Sequence, residues 1–266
     1  LHRVDRRQRQ MCIRDSGGTI KLVTEPLSAA SKIKQLLAHV SRHELTMRQL
    51  DLLSGAVRLA PAETGATLNL TLSVLTTIHG PRWRLLIIGA GQLSQFLAQI
   101  ATGLDYQVVV CDPREEYRLA WQVPGVEVIH AMPDDLVLEM KMDSRTAVVA
   151  LTHDPKLDDL ALMEALKSEA FYVGAIGSRI NNARRRERLK EFDLSAAQLQ
   201  RLHGPIGLYI GSKTPAEIAI SILAELTAIR NGVALPDKMS VAAAKDEMDM
   251  PPWTLAEQES LPRQIN

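Results

Sequence analysis

The stretch Arg84-Leu85-Leu86-Ile87-Ile88-Gly89-Ala90-Gly91-Gln92-Leu93-Ser94 decides how this chain is read. Five residues, four of them apolar, predict a buried strand. Two glycines one residue apart predict a tight turn, and Gln92 opens a helix. A second apolar run, Gln107-Val108-Val109-Val110-Cys111, ends at Asp112, 21 residues after Gly91. That is the spacing of a dinucleotide-binding βαβ unit. Gly89 permits the sharp turn, and Gly91 lets the backbone approach a pyrophosphate. The free N–H groups and positive end of the helix face that anion. Asp112 is placed to accept hydrogen bonds from a ribose diol. A 2′-phosphate about 4 Å from it would be repelled by up to ~4 kcal/mol at an effective dielectric of 20, which favours NAD; Arg114, which can receive a 2′-phosphate, weakens that preference. The plainer alternative is a fold of this type whose site is vestigial.

The chain has 266 residues, 46% hydrophobic, with zero formal net charge, enough for one substantial α/β domain and a smaller one. A neutral balance argues against a general nucleic-acid binder. The two cysteines, Cys12 and Cys111, make neither a disulfide framework nor a cysteine-rich metal site. No apolar run reaches ~18 residues, so no membrane span is expected. The cytoplasm is the expected compartment.

Residues 1–16, LHRVDRRQRQMCIRDS, carry five arginines and no periodicity. MCIRDS resembles a translated adapter sequence, so the segment is read as a non-native leader and set aside from the fold. Residues 17–80 are read as a small, incomplete α/β domain. Its expected elements are a strand near 19–24, helices at about 29–40 and 45–56, and a strand within 67–78. Residues 81–232 alternate strand and helix. Strands are expected at about 84–88, 107–111, 126–130, 146–152 and 171–175, and helices at about 92–103, 134–141, 156–168, 180–191 and 215–230. Alternation of this kind implies an α/β fold with a Rossmann-like, doubly wound parallel sheet. Residues 233–266 are expected to be a largely irregular tail with one short helix near 240–248.

In such sheets ligands lie beyond the carboxyl ends of the strands. The residues expected there are the Gly89–Gly91 turn with Gln92, then Asp112 and Arg114, then Thr152-His153-Asp154, then Gly177-Ser178-Arg179. His153 can serve as a base, a donor or a metal ligand; equally, Asp154 and Asp158 can cap the next helix while His153 packs at its entrance. A metal set of His153 with Asp154 and Asp158 has no second histidine at ligand spacing, so no metal is assigned. Arg179 can bind a phosphate or carboxylate through two hydrogen bonds. Arg184-Arg185-Arg186-Glu187-Arg188 reads as a solvated helix face rather than a nucleic-acid patch. Before the last long helix, Gly207, Gly211, Lys213 and Thr214 form a second glycine-rich approach to a helix start. Thr214, Pro215 and Glu217 make a capping box, and the same turn can hold an anion. His203 and Lys213 can both face the crevice.

The stretches IIGAGQLSQFLAQIA, VVVCDPREEY, VVALTHDPKLDDLAL, YVGAIGSRINNARRRERL and LHGPIGLYIGSKTPAEIAISILAEL, spanning about 84–230, resemble the XdhC/CoxI family. The resemblance implies an accessory factor for molybdenum hydroxylases of the xanthine dehydrogenase type, without turnover of its own. Such a chaperone binds the molybdenum cofactor transiently, supports its sulfuration with a cysteine desulfurase, and delivers it to the apo molybdenum hydroxylase. A homodimer is a further expectation from the family. On this reading Gly89, Gly91, Gly177, Arg179 and the 207–214 loop face the phosphate, and His153 and Asp154 line the reactive end. GGTIKLVTEP at 17–26 matches the end of the family's N-terminal domain, whose cysteine falls at Ser16. The alternatives are an NAD(P)-dependent oxidoreductase with His153 as acid/base, and a scaffold that has lost its ligand.

Overall fold

The structure, a computed structural model, describes residues 8–12, 19–63 and 66–249. The chain divides into two compact units, Leu1–Pro81 and Arg82–Asn266.

In the first unit, β1 (Gln8–Cys12) pairs antiparallel with β2 (Thr19–Val23). Part of the segment set aside as a leader therefore forms a strand; Ser16 and its neighbours lie outside the described residues. Ser28 caps a single 3-10 turn, Ala29–Ser31, and α1 covers Ile33–Ser41. The helix expected at 45–56 is instead β3 (Thr46–Asp51), followed by β4 (Val57–Pro61), β5 (Asn69–Leu70) and β6 (Val74–His79). These form a four-stranded antiparallel sheet in the order β4-β3-β6-β5. Burial along β3 alternates, with Thr46, Arg48 and Leu50 inside. The period is two, but polar side chains occupy two of the three inward positions. Arg48 is tolerated there because its Nη2 lies 2.7 Å from both oxygens of Glu25.

The second unit begins with β7 (Arg84–Ile88), α2 (Gln92–Gly103) and β8 (Gln107–Cys111), each where the sequence predicts it. Next come α3 (Glu115–Leu119), β9 (Val128–Ile129), α4 (Pro133–Met140), β10 (Thr146–Ala150) and α5 (Pro155–Lys167). The chain then forms β11 (Tyr172–Ala175), α6 (Arg179–Lys190), α7 (Ala196–Gln200), β12 (Leu202–His203) and α8 (Pro215–Arg230). A 3-10 turn, Asp237–Met239, and α9 (Val241–Asp249) follow. α9 stands where the short helix near 240–248 is expected, and this end is tied to the domain: Tyr209 N–H donates to the Met239 carbonyl at 2.8 Å, and Ala244 is buried. The remainder of that tail lies outside the described residues.

The six strands pair in the order β12-β11-β10-β7-β8-β9, all parallel. Side chains alternate across the sheet. Leu85, Ile87, Val110, Ala147 and Val149 pack with Leu97, Ala101, Ile222 and Leu226 of α2 and α8. Leu86, Ile88, Val148 and Ala150 pack on the other face with Leu136, Leu162 and Leu166 of α4 and α5. β7 and β10 are buried throughout, as a sheet covered on both faces requires. The chain leaves β7 toward β8 and β9, then returns to β10 on the opposite side. The topological switch point therefore lies beyond the carboxyl ends of β7 and β10, where ligands of such sheets bind.

Candidate functional site

Register sets every strand end at one level: Ile88 stands opposite both Cys111 and Ala150, and Ala150 opposite Ala175. The expected site residues on β7, β8, β10 and β11 accordingly emerge along one edge. Gly89 has φ +102°, and a Cβ there would lie 2.9 Å from the Thr152 methyl carbon and 3.1 Å from the Thr152 nitrogen. Its glycine is a requirement of the fold. Gly91 is different. Its φ is −76°, and a Cβ would meet nothing within 4 Å. It N-caps α2 without a side-chain hydrogen bond. Among the described residues, the N–H groups of Gly91, Gln92 and Leu93 have no hydrogen-bond partner. The Ser94 hydroxyl, buried one turn in, is also without a partner. Unengaged donors at a positive helix end, with open space at the Gly91 Cβ position, fit a phosphate.

Asp112 is fully buried, and its carboxylate is already engaged. One oxygen accepts from Ala90 N–H at 2.8 Å and from Arg114 Nη2 at 2.8 Å; the other accepts from Arg114 Nε at 2.9 Å and Arg114 N–H at 3.0 Å. Burial works to raise this carboxyl, but the Arg114 and Ala90 hydrogen bonds outweigh it and hold it below the ordinary carboxylate range. Arg114 also lies over the Tyr117 ring, 3.9 Å from its centroid. A ribose diol reaches Asp112 only when Arg114 moves aside.

The other expected anion positions are engaged in part from within the chain. Asp154 caps α5, accepting from Lys156 N–H at 2.9 Å. Ser178 caps α6, accepting from Asn181 N–H at 3.1 Å. Arg179 pairs with Asp246 of α9. Glu217 accepts from the N–H groups of Lys213 at 2.7 Å and Thr214 at 2.9 Å, while the Thr214 hydroxyl caps α8. Gly211 has φ +75° and is exposed. His153 is exposed and holds a left-handed backbone, φ +62°, uncommon for a residue with a side chain. At the Gly89–Gly91 turn no side chain among the described residues caps the helix, and the leading donors stay open.

A buried ionic network, not anticipated from the sequence, braces this rim. Asp158 accepts from the Thr152 hydroxyl at 2.7 Å and the Thr152 N–H at 3.1 Å, and pairs with Arg185 at 3.0 Å. Arg185 also holds Asp159 at 3.2 Å and donates to the Asn182 side-chain oxygen Oδ1 at 2.7 Å and the Ile176 backbone carbonyl at 2.9 Å. Asn182 in turn donates to the carbonyls of Gly177 and Ser178. Burial pushes the Asp158 carboxyl up against the pull of Thr152 and Arg185. The arginine run is thus not a plain solvated face: Arg185 is 5% exposed, and Arg186 binds the carbonyls of Leu202 and Gly204. Both Asp158 oxygens are committed, which removes it from a metal set with His153 and Asp154. Among the described residues no group of three His, Cys, Asp or Glu side chains is placed to hold a metal ion, and no helix is long and apolar enough to cross a membrane.

A doubly wound parallel sheet with a glycine turn at its switch point defines a Rossmann-type domain. The profile of the XdhC Rossmann domain matches residues 85–226, and the chain belongs to the XdhC family. It is 31% identical over 156 residues to a probable xanthine dehydrogenase subunit of Bacillus subtilis, covering 58% of this chain and 45% of that one. It is 23% identical over 214 residues to the molybdenum cofactor insertion chaperone PaoD of Escherichia coli, covering 80% and 60%. An uncharacterized Escherichia coli protein, YqeB, is 28% identical over 228 residues, covering 85% and 41%. The chain therefore spans 41% to 60% of the length of these relatives. A crystal structure of a xanthine dehydrogenase from Bacillus halodurans aligns with a TM-score of 0.61 at 22% identity, covering 86% of this chain and 72% of that one, and shares the fold.

Proposed function

We propose that this protein is a maturation chaperone for a molybdenum hydroxylase, holding the molybdenum cofactor by its phosphate end in the crevice and releasing it to the apoenzyme. The observation that carries the reading is the Gly91 turn, where the helix donors are unengaged and a Cβ would stand in open space, in a chain of the XdhC family. The turn before Gly91 and the N-terminus of α2 hold the phosphate. The braced turns at Thr152 and Gly177 fix the opposite wall. Arg114, lying on Asp112, is the movable side of the pocket. The bound cofactor supplies the redox chemistry of the hydroxylase, and this chain's own residues bind and orient it. A cysteine desulfurase acts on the cofactor while the crevice shelters it. His153, exposed on its left-handed turn, stands where the reactive end can be reached.

The name of one relative, a molybdenum cofactor insertion chaperone, supports this reading. The test is to purify the full-length native protein, measure its cofactor content, and assay transfer to apo-hydroxylase. Stoichiometric binding with activation of the apoenzyme is expected. Absence of both binding and transfer overturns the reading.

A further inference from the structure

Glu225 is a carboxylate inside the apolar side of α8, 6% exposed, and three donors converge on it. The Tyr172 hydroxyl lies 2.5 Å and the Gly207 N–H 2.7 Å from one oxygen; His203 Nδ1 lies 2.8 Å from the other. The His203 ring stacks on Tyr172, with centroids 4.4 Å apart and planes 24° apart. Burial works against the ionised form of Glu225, but these partners hold its carboxyl below the ordinary range. An ionised carboxylate at Nδ1 puts the imidazole proton on Nδ1. In the neutral ring Nε2 is then an acceptor, and it has no hydrogen-bond partner among the described residues. His203 retains 34% of its side-chain exposure.

Position gives this dyad its meaning. His203 ends β12 opposite Gly174 of β11, one residue below the level of Ala175, Ala150 and Ile88, so its backbone stands near the carboxyl edge, with the ring on the α8 side. The adjoining turn is fastened to that rim: Arg186 binds the Gly204 carbonyl, and a Cβ on Gly204 would lie 2.4 Å from the Asn182 side-chain oxygen. β12 stands three strands from β7, roughly 14 Å at ~4.8 Å per strand. A ligand anchored by phosphate at Gly91 and extended toward β10 and β11 brings its far end to this side. Tyr172 and Gly207 already supply Glu225 with two donors, so its burial alone does not call for a histidine whose second nitrogen is open.

We propose that His203 Nε2 accepts a hydrogen bond from a ring N–H or O–H at the end of the crevice ligand remote from its phosphate. Glu225 is the positioning residue that fixes the tautomer. The ligand class is a phosphorylated, flat heterocycle rich in N–H groups, and this inference rests on the functional reading given above. In the test, the full-length protein and its His203→Asn variant are titrated with molybdenum cofactor and, separately, with inorganic pyrophosphate. Asparagine keeps a donor near the Nδ1 position but has nothing at Nε2. Cofactor affinity is expected to fall about tenfold, with pyrophosphate affinity and the melting temperature unchanged. Cofactor binding within twofold of the native protein overturns the proposal. If the native protein binds no cofactor, the functional reading falls and this inference with it. Should His203→Asn fail to fold, 15N spectra of the native imidazole decide. A protonated Nδ1 and a bare Nε2 whose shift moves on adding cofactor support the proposal; an Nε2–H tautomer or an unmoved shift overturns it.

Discussion

The Arg114 guanidinium is clamped on the Asp112 carboxylate, with Nε 2.9 Å from one oxygen and Nη2 2.8 Å from the other. The acid whose spacing suggests a diol acceptor is thus held in reserve by the side chain two residues on. Arg114→Ala removes two charge-assisted hydrogen bonds and exposes the carboxylate. ADP is expected to gain about fivefold in affinity over 2′-deoxy-ADP in the variant, on the order of 1 kcal/mol for one recovered hydrogen bond. The native protein is expected to bind the two within twofold. Equal binding of both ligands by Arg114→Ala, measured by calorimetry, would show that Asp112 does not face the ligand.

Arg185 carries the rim. Replacing it with leucine leaves Asp158 and Asp159 buried beside an apolar group, and breaking a buried pair in this way costs about 3–5 kcal/mol. The melting temperature should fall by roughly 6–20 °C. The loss should shrink in acid, because a protonated Asp158 no longer needs a counterion. A loss under about 1 kcal/mol would mean the network is solvated rather than buried.

Stability should depend on pH through three carboxyls of opposite sign. Asp112 and Glu225 titrate below their ordinary values in the folded protein. Their contribution is present above the ordinary carboxylate range of about 4 and is lost as pH falls through the folded values. Asp158 is raised, so its protonation favours the folded state as pH falls. Urea midpoints from pH 7 to pH 3 should decline more gently for Asp112→Asn than for the native protein. An unchanged acid limb would contradict the depressed Asp112.

Cys111 is fully buried at the end of β8, its thiol donates to the Ala131 carbonyl at 3.3 Å, and burial pushes it up to about 12. Only the thiolate is nucleophilic, so Cys111 should resist iodoacetamide at pH 8 in the folded protein and react once it is denatured. Peptide mapping checks this at Cys111 itself. Rapid native labelling would contradict its burial.

Much of the second unit is legible because its signals are local. The bounds of β7, β8, α2 and α8 follow from apolar runs, glycine turns and a capping box that neighbouring residues write between them. β3 is not legible in this way. Leu45-Thr46-Met47-Arg48-Gln49-Leu50 has good helix formers, and its inward residues include an arginine whose partner, Glu25, is 23 residues away. The arginine run misleads for the same reason: what buries Arg185 is Asp158 on another helix. The candidate site divides likewise. Glycine spacing identifies the turn, but only the fold shows which anion positions the chain already fills with its own carboxylates and caps, and that Glu225 lies within a helix that otherwise reads as core.

The two glycines of that turn separate folding from ligand binding. Gly89→Ala should destabilise by about 2 kcal/mol or more, since it combines φ +102° with a Cβ 2.9 Å from Thr152. Gly91→Ala places its methyl in open space and should melt within a few degrees of the native protein. The decisive measurement is molybdenum-cofactor affinity of the full-length Gly91→Ala protein beside its melting temperature. A loss of tenfold or more in affinity with the melt preserved is expected; undiminished cofactor binding by that variant would contradict a phosphate site at Gly91.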